Sequence, residues 1–346
     1  MPSAIELQGA ITVRGIAQLY LPRAMESREL LKLLPFHKVD EVDLFYERRG
    51  LATGLQAARG LGGTTSPVKK PGTDQFRVSP GYYGDHYTIT EEELVKLRDA
   101  GAWDKFENYD KQSARAAEHL TNRYLDRCEN SIAQLLMSGS FTAVNALGQV
   151  YDQQVYSVPQ YTPSTLFSDL ANSQPLNYIR DLIPTLELLV SVDFRKGFML
   201  MSRPTLNLLL KNQNAADLNG RRLNYGNTVN NVEDFNDLLV SNDLPKVKVY
   251  DKGYYSDPPG SSPTKNRFLT NGKIVLVGDR EDGAPMGEYR LTRAAQNERS
   301  APGEWYQVED RRDRDPCQVI IRSGHNGGPA LFMPECVATI NAAAPF

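Results

Sequence analysis

Apolar residues recur at intervals of three and four through Trp103, Phe106, Ala117, Leu120, Tyr124, Cys128, Ile132 and Leu135. That is the spacing of one face of an α-helix. The pattern predicts a helix from Ala102 to about Ser138, stopped by Gly139. At about 1.5 Å per residue such a helix spans about 55 Å, whereas globular helices average about 11–12 residues. The spacing is not a strict heptad, which favours the spine of an elongated subunit over a coiled coil. Just upstream, Thr90-Glu-Glu-Glu93 reads as a capping box opening a short helix to Asp99, broken at Gly101.

The other segments are patterned differently. Residues 1–40 are mixed, with a short helical signal at Ser27–Leu34 stopped by Pro35. Residues 41–87 carry strand-like ends (Val42–Tyr46, Gln75–Val78) around a middle rich in glycine and proline, which predicts an extended hairpin. An α/β unit follows. It has a helix at Leu176–Val190 bounded or kinked at Pro184, a strand at Lys196–Met201, a helix opening at Ser202-Arg-Pro204 and a strand at Lys246–Asp251. Asn271-Gly272 predicts a hairpin joining Arg267–Thr270 to Lys273–Val277. Strand signals recur at Trp305–Val308, Gln318–Arg322 and Ala330–Met333.

Composition narrows the function classes. The 346 residues carry 39 Lys+Arg against 42 Asp+Glu, a net charge of −3, which argues against a dedicated nucleic-acid binder. No run of 18 apolar residues exists to span a membrane, and the N-terminus lacks the basic-then-apolar order of a signal peptide. Three unclustered cysteines favour a reducing compartment over a disulfide framework. Of four histidines none sits in HExxH, no CxxC is present, and there is no GxxxxGK[ST] loop or GxSxG elbow. Asp279–Gly283 reads as a solvated turn rather than a calcium loop, and His325-Asn-Gly-Gly328 as a tight turn rather than a catalytic loop. Cys128 falls on the apolar face of the long helix, where a thiol behaves as a small hydrophobe. No catalytic residue, cofactor site or metal site is expected. The run Glu309–Asp315 alternates in sign and reads as a solvated face or an ion-pair surface between subunits.

The order of several runs carries a resemblance. Lys246–Asp257 (KVKVYDKGYYSD) precedes Arg267–Gly278 (RFLTNGKIVLVG), then Gly287–Arg293 (GEYRLTR) and His325–Ile340 (HNGGPALFMPECVATI), after the helix start at Tyr87–Leu94 (YTITEEEL). This order resembles the major capsid proteins of tailed bacteriophages typified by the lambda major head protein E. The resemblance implies an α+β chain with the Hong Kong 97 phage capsid fold. It would comprise an N-terminal arm (1–40), an extended E-loop hairpin (41–87), a peripheral domain with the spine helix (88–175), an axial domain (176–290), and peripheral strands returning to the axial domain (291–346).

The implied function is structural: a subunit that self-assembles into hexamers and pentamers of an icosahedral head enclosing double-stranded DNA. Implied partners are copies of itself, a scaffold, a portal, a decoration or cement protein, and DNA held non-specifically. The location would be the virion, assembled in the host cytoplasm. The alternatives are an encapsulin-like nanocompartment shell and an α/β hydrolase or transferase. Candidate inter-subunit residues are Arg48, Arg49, Lys69 and Lys70 of the hairpin, and Arg311, Arg312 and Arg314 of the charged run. No Lys/Asn pair is assignable to covalent cross-linking of subunits.

Overall fold

In the computed structural model, the structure describes residues 4–41, 44–49, 58, 73–78, 81–96, 108–144, 150–187, 192–212, 232–256, 262–280, 283–297 and 301–344. The chain opens with two helices, α1 (Ala4–Glu26) and α2 (Glu29–Leu33), followed by β1 (Phe36–Lys38). The short helical signal anticipates α2 but not α1. Gly9, Gly15 and Pro22 depress the propensity of α1. Docking overrides this, because Val13 and Ala17 are buried against the core.

The 41–87 segment contains the expected hairpin. β2 (Leu44–Arg49) and β3 (Thr73–Val78) pair antiparallel from Leu44↔Val78 to Arg49↔Thr73, and neither joins a larger sheet among the described residues. β4 (Gly81–Thr90) leads into α3 (Glu91–Lys96) through the capping box. The Glu93 carboxylate accepts the Thr90 N–H at 2.9 Å, and the Thr90 hydroxyl faces the Glu93 N–H at 3.5 Å.

The spine helix α4 (Asn108–Ser138) has 31 residues, about 46 Å at the standard rise. The Trp103 and Phe106 end of the expected helix lies outside the described residues. The rest of the expected face is buried: Ala117, Leu120, Tyr124, Cys128, Ile132 and Leu135. Gly139 ends α4 at φ +68°, a conformation that a side chain disfavours, with its N–H on the Leu135 carbonyl.

Beyond α4 come the hairpin β5 (Ser140–Val144) and β6 (Val150–Val155), then β7 (Gln160–Tyr161), α5 (Pro175–Glu187), β8 (Val192–Met201), α6 (Arg203–Lys211), α7 (Val232–Ser241) and β9 (Lys246–Val249). α5 runs through Pro184 to Glu187. A second hairpin, β10 (Gly253–Ser256) and β11 (Thr264–Arg267), precedes β12 (Lys273–Arg280) and β13 (Gly287–Leu291). The chain closes with β14 (Trp305–Asp310), the 14-residue β15 (Gln318–Leu331), a 3₁₀ turn (Pro334–Cys336) and β16 (Val337–Asn341).

Two larger sheets organise these strands. One runs β1-β13-β15-β14, with β4 also paired to β15; the other runs β7-β16-β12-β8-β9. Thr339 on β16 donates its hydroxyl to the Leu136 carbonyl of α4, and Lys273 on β12 donates to the Met137 carbonyl, so the second sheet is fastened to the end of the spine. The main core joins α2, α4, α5, α6, α7 and this sheet; a smaller cluster packs α1 and α4 on β4, β14 and β15.

Two expectations are corrected. Asn271-Gly272 does make a tight turn, with Gly272 at φ +84°, but it joins no hairpin. β11 pairs with β10, while β12 has one edge on β8 and the other on β16, leaving none for β11. His325–Gly328 is not a turn either but the middle of β15. Gly327 pairs with Gly81 on one side and Leu291 on the other, and Asn326 donates its side-chain amide to the Arg293 carbonyl at 2.7 Å. Pairing on both edges overrides the local turn preference of Asn-Gly.

Candidate assembly surfaces

The charged run caps the β14–β15 hairpin. The Arg311 N–H donates to the Gln318 carbonyl at 2.9 Å and the Arg314 N–H to the Arg311 carbonyl at 3.0 Å, closing a tight loop. Within it Arg311 bonds Glu309 at 2.5 Å and Arg312 bonds Asp310 at 2.6 Å, while Arg322 reaches Glu309 at 2.9 Å. The Arg312 hydrogen bond holds the Asp310 carboxyl below its usual range. Arg311 and Arg312 thus have acidic partners inside their own subunit. Arg314 is exposed at the loop and makes no ion pair among the described residues.

The other candidates lie on the long hairpin. Arg48 and Arg49 end β2, in register with Asp74 and Thr73. Lys69 and Lys70 lie outside the described residues. The register also sets Leu44 opposite Val78 and Tyr46 opposite Phe76, so strand alternation places these four apolar positions on one face. Large exposed apolar side chains mark further surfaces: Tyr82 on β4, Val150 and Val155 on β6, and Tyr255 on β10. Each of these strands pairs along only one edge among the described residues. The sequence reading missed them because a lone exposed apolar residue in a strand pattern looks like any core position.

The cluster that most resembles chemistry is inert. His325 is 1% exposed, its Nε2 lies 3.1 Å from the Tyr289 hydroxyl and 3.8 Å from Cys128 Sγ, and its ring packs on those of Tyr83 and Tyr124. Burial pushes the Cys128 thiol up, away from the reactive thiolate. Burial, reinforced by the Arg127 charge and opposed by Asp85, lowers His325 to about 3. Both groups are therefore neutral, and the pair joins α4, β13 and β15 as packing.

A pH dependence follows. The unfolded histidine takes a proton below about pH 6.5 and the folded one does not until about pH 3. The stabilisation is therefore complete above pH 6.5 and is lost as the pH falls toward 3. The expected loss from this residue between pH 7 and pH 4 is about 3 kcal/mol. Urea unfolding at the two pH values measures it. His325→Gln should show a loss smaller by about that amount, and an equal loss in both proteins would contradict the assignment.

Among the described residues no group of three or more His, Cys, Asp or Glu could hold a metal ion, and no helix is long and apolar enough to cross a membrane. A search of the curated proteins gives no match. Solved structures share the fold. A putative capsid protein of a prophage of E. coli CFT073 is 14% identical, with a TM-score of 0.57 over 94% of this chain and 97% of that one. A phage-related protein from Bordetella bronchiseptica RB50 is 13% identical at 0.52, over 94% and 97%. The capsid of a native GTA particle is 10% identical at 0.54, over 91% and 90%. The model of the phage major capsid protein E family matches residues 37–288, well over half of the chain. With a fold shared with phage capsid subunits and a match of that extent, the chain belongs to the phage major capsid protein E family, whose members are structural shell proteins rather than enzymes.

Proposed function

We propose that this capsid subunit self-assembles into the hexamers and pentamers of an icosahedral phage head, formed in the host cytoplasm around double-stranded DNA. The match to the capsid family over residues 37–288 carries this reading. In it, β2–β3 is the E-loop that lies across a neighbour, α4 is the spine of a peripheral domain, and the β7-β16-β12-β8-β9 sheet with α5, α6 and α7 forms the axial domain. A net charge of −3 suits a wall that holds DNA without gripping it, since polyanions bind clustered Lys and Arg. Scaffold, portal and cement proteins would be the further partners. Particles purified after expression in the context of the phage should contain nuclease-protected double-stranded DNA. Particles filled instead with a cargo enzyme would favour a nanocompartment.

Of the three arginines of the charged run, Arg314 is the one without an ion pair among the described residues, and so the one left to meet a neighbour. Arg314→Glu should lower shell yield, most at low ionic strength, because exposed pairs are screened over about 8–10 Å in ordinary salt. One such pair contributes only about 0–1 kcal/mol, but symmetry repeats it at every copy. Native gel yields across a salt series measure this. A yield indifferent to both charge and salt would make the loop ordinary solvated surface.

A further inference from the structure

Among the described residues the second sheet ends on β9, a strand of four residues. β9 pairs parallel with β8, from Phe198↔Lys246 to Met201↔Val249. Just past the strand, the Tyr250 N–H bonds the Met201 carbonyl at 3.0 Å. Along a strand, residues whose backbone bonds one neighbour alternate with residues whose backbone faces the other way. Lys246 and Lys248 therefore share the side of Tyr250 and face β8, while Val247 and Val249 turn their N–H and C=O groups to the outer edge.

An open edge of that kind is a template for another strand. Here the template is occupied from within the subunit. Asn236 of α7 meets Val247 with both ends of its side-chain amide: Oδ1 accepts the Val247 N–H at 2.6 Å, and Nδ2 donates to the Val247 carbonyl at 3.2 Å. One acceptor and one donor aimed at one residue is what a neighbouring strand would supply. Phe235, Leu238 and Leu239 are buried in the main core together with Val247, so the amide is presented by a fixed helix. With Val247 taken, Val249 is the one remaining outward residue of β9, too little to start a ladder. Lys246 and Lys248 are exposed, and lysines on a sheet edge also oppose further pairing.

We propose that Asn236 is an autoinhibitory edge lock: its amide stands in for a further strand on β9 and bars an extended segment of another subunit from joining the second sheet there. Removing the amide opens the edge while the sheet itself stays intact, because β12, at its centre, is paired on both sides by β8 and β16. This inference is independent of the shell reading, since it concerns the single subunit.

Hydrogen exchange and peptide binding on the unassembled full-length chain test it. In the wild type the Val247 amide should be protected although it faces the sheet edge. Asn236→Ala should speed its exchange by about tenfold or more, while the amide of Val275 in β12 keeps its protection. The probe for the opened edge is a short labelled peptide of alternating glutamate and valine, whose charges complement Lys246 and Lys248. Fluorescence anisotropy should show it binding the Asn236→Ala chain at least about tenfold more tightly than the wild type, a difference of about 1.4 kcal/mol or more. Adding Val249→Pro, which removes the other outward N–H, should abolish that gain. A Val247 amide that exchanges in the wild type as fast as an unprotected one would overturn the proposal, and this holds whether or not the variants fold. So would a parallel rise at Val275, peptide binding unchanged by Asn236→Ala, or a gain that survives Val249→Pro.

Discussion

Leu120→Asp is expected to leave no soluble subunit. Leu120 is 2% exposed in the cluster that seats α4 on β4, β14 and β15, among Val13, Ile89, Ala117, Val308 and Ile321. Losing the leucine removes about 2–5 kcal/mol of packing, and a carboxylate placed there without a partner adds several more. Domains are stable by only about 5–15 kcal/mol. The hydroxyl of the adjacent Thr121 is already bonded to the Ala117 carbonyl at 2.7 Å and close to the Tyr306 hydroxyl at 3.2 Å. Soluble yield and far-ultraviolet circular dichroism measure the result. Glu118→Ala, on the exposed face of the same helix, should fold normally. Soluble, folded Leu120→Asp protein would show that this face of the spine is not the buried one.

Deleting residues 56–66 should have the opposite profile: a folded subunit that assembles poorly. An isolated two-stranded hairpin is only marginally stable in water. Among the described residues β2–β3 joins no larger sheet, and its register gathers the Leu44, Tyr46, Phe76 and Val78 positions on one face. In the proposed function that face is covered by a neighbouring subunit, and the ordering entropy is offset by contacts between subunits. Thermal unfolding of the deletion variant should match the wild type within a few degrees while the yield of assembled particles falls severalfold or more. Tryptic cleavage at Arg59, Lys69 and Lys70 should also slow on assembly of the wild type. Normal assembly of the variant would remove the hairpin from the interface.

What the sequence made legible was local. The face of α4 could be read because Ala117, Leu120, Tyr124, Cys128, Ile132 and Leu135 repeat at the helical period, and Thr90 with Glu93 marked the start of α3 from three residues apart. α1 was missed although Val13, Ile16, Ala17, Tyr20, Leu21 and Ala24 stand at helical spacing, because Gly9, Gly15 and Pro22 interrupt the propensity. Strand partners were not legible. Whether Asn271-Gly272 closes a hairpin depends on what occupies both edges of β12, and whether His325–Gly328 turns depends on β4 and β13, far away in the chain. The charged run was visible as a cluster, but its internal pairing required the geometry of the β14–β15 loop. Arg28 meets Asp126 across 98 positions, so no spacing rule could join them.

Electron microscopy of the purified full-length protein is the most direct measurement, with a scaffold supplied if one is required. Closed shells or rings of capsomers built from this chain are the expected result. A protein that stays monomeric at high concentration with scaffold present, by sedimentation and in the images, would contradict its role as a shell subunit.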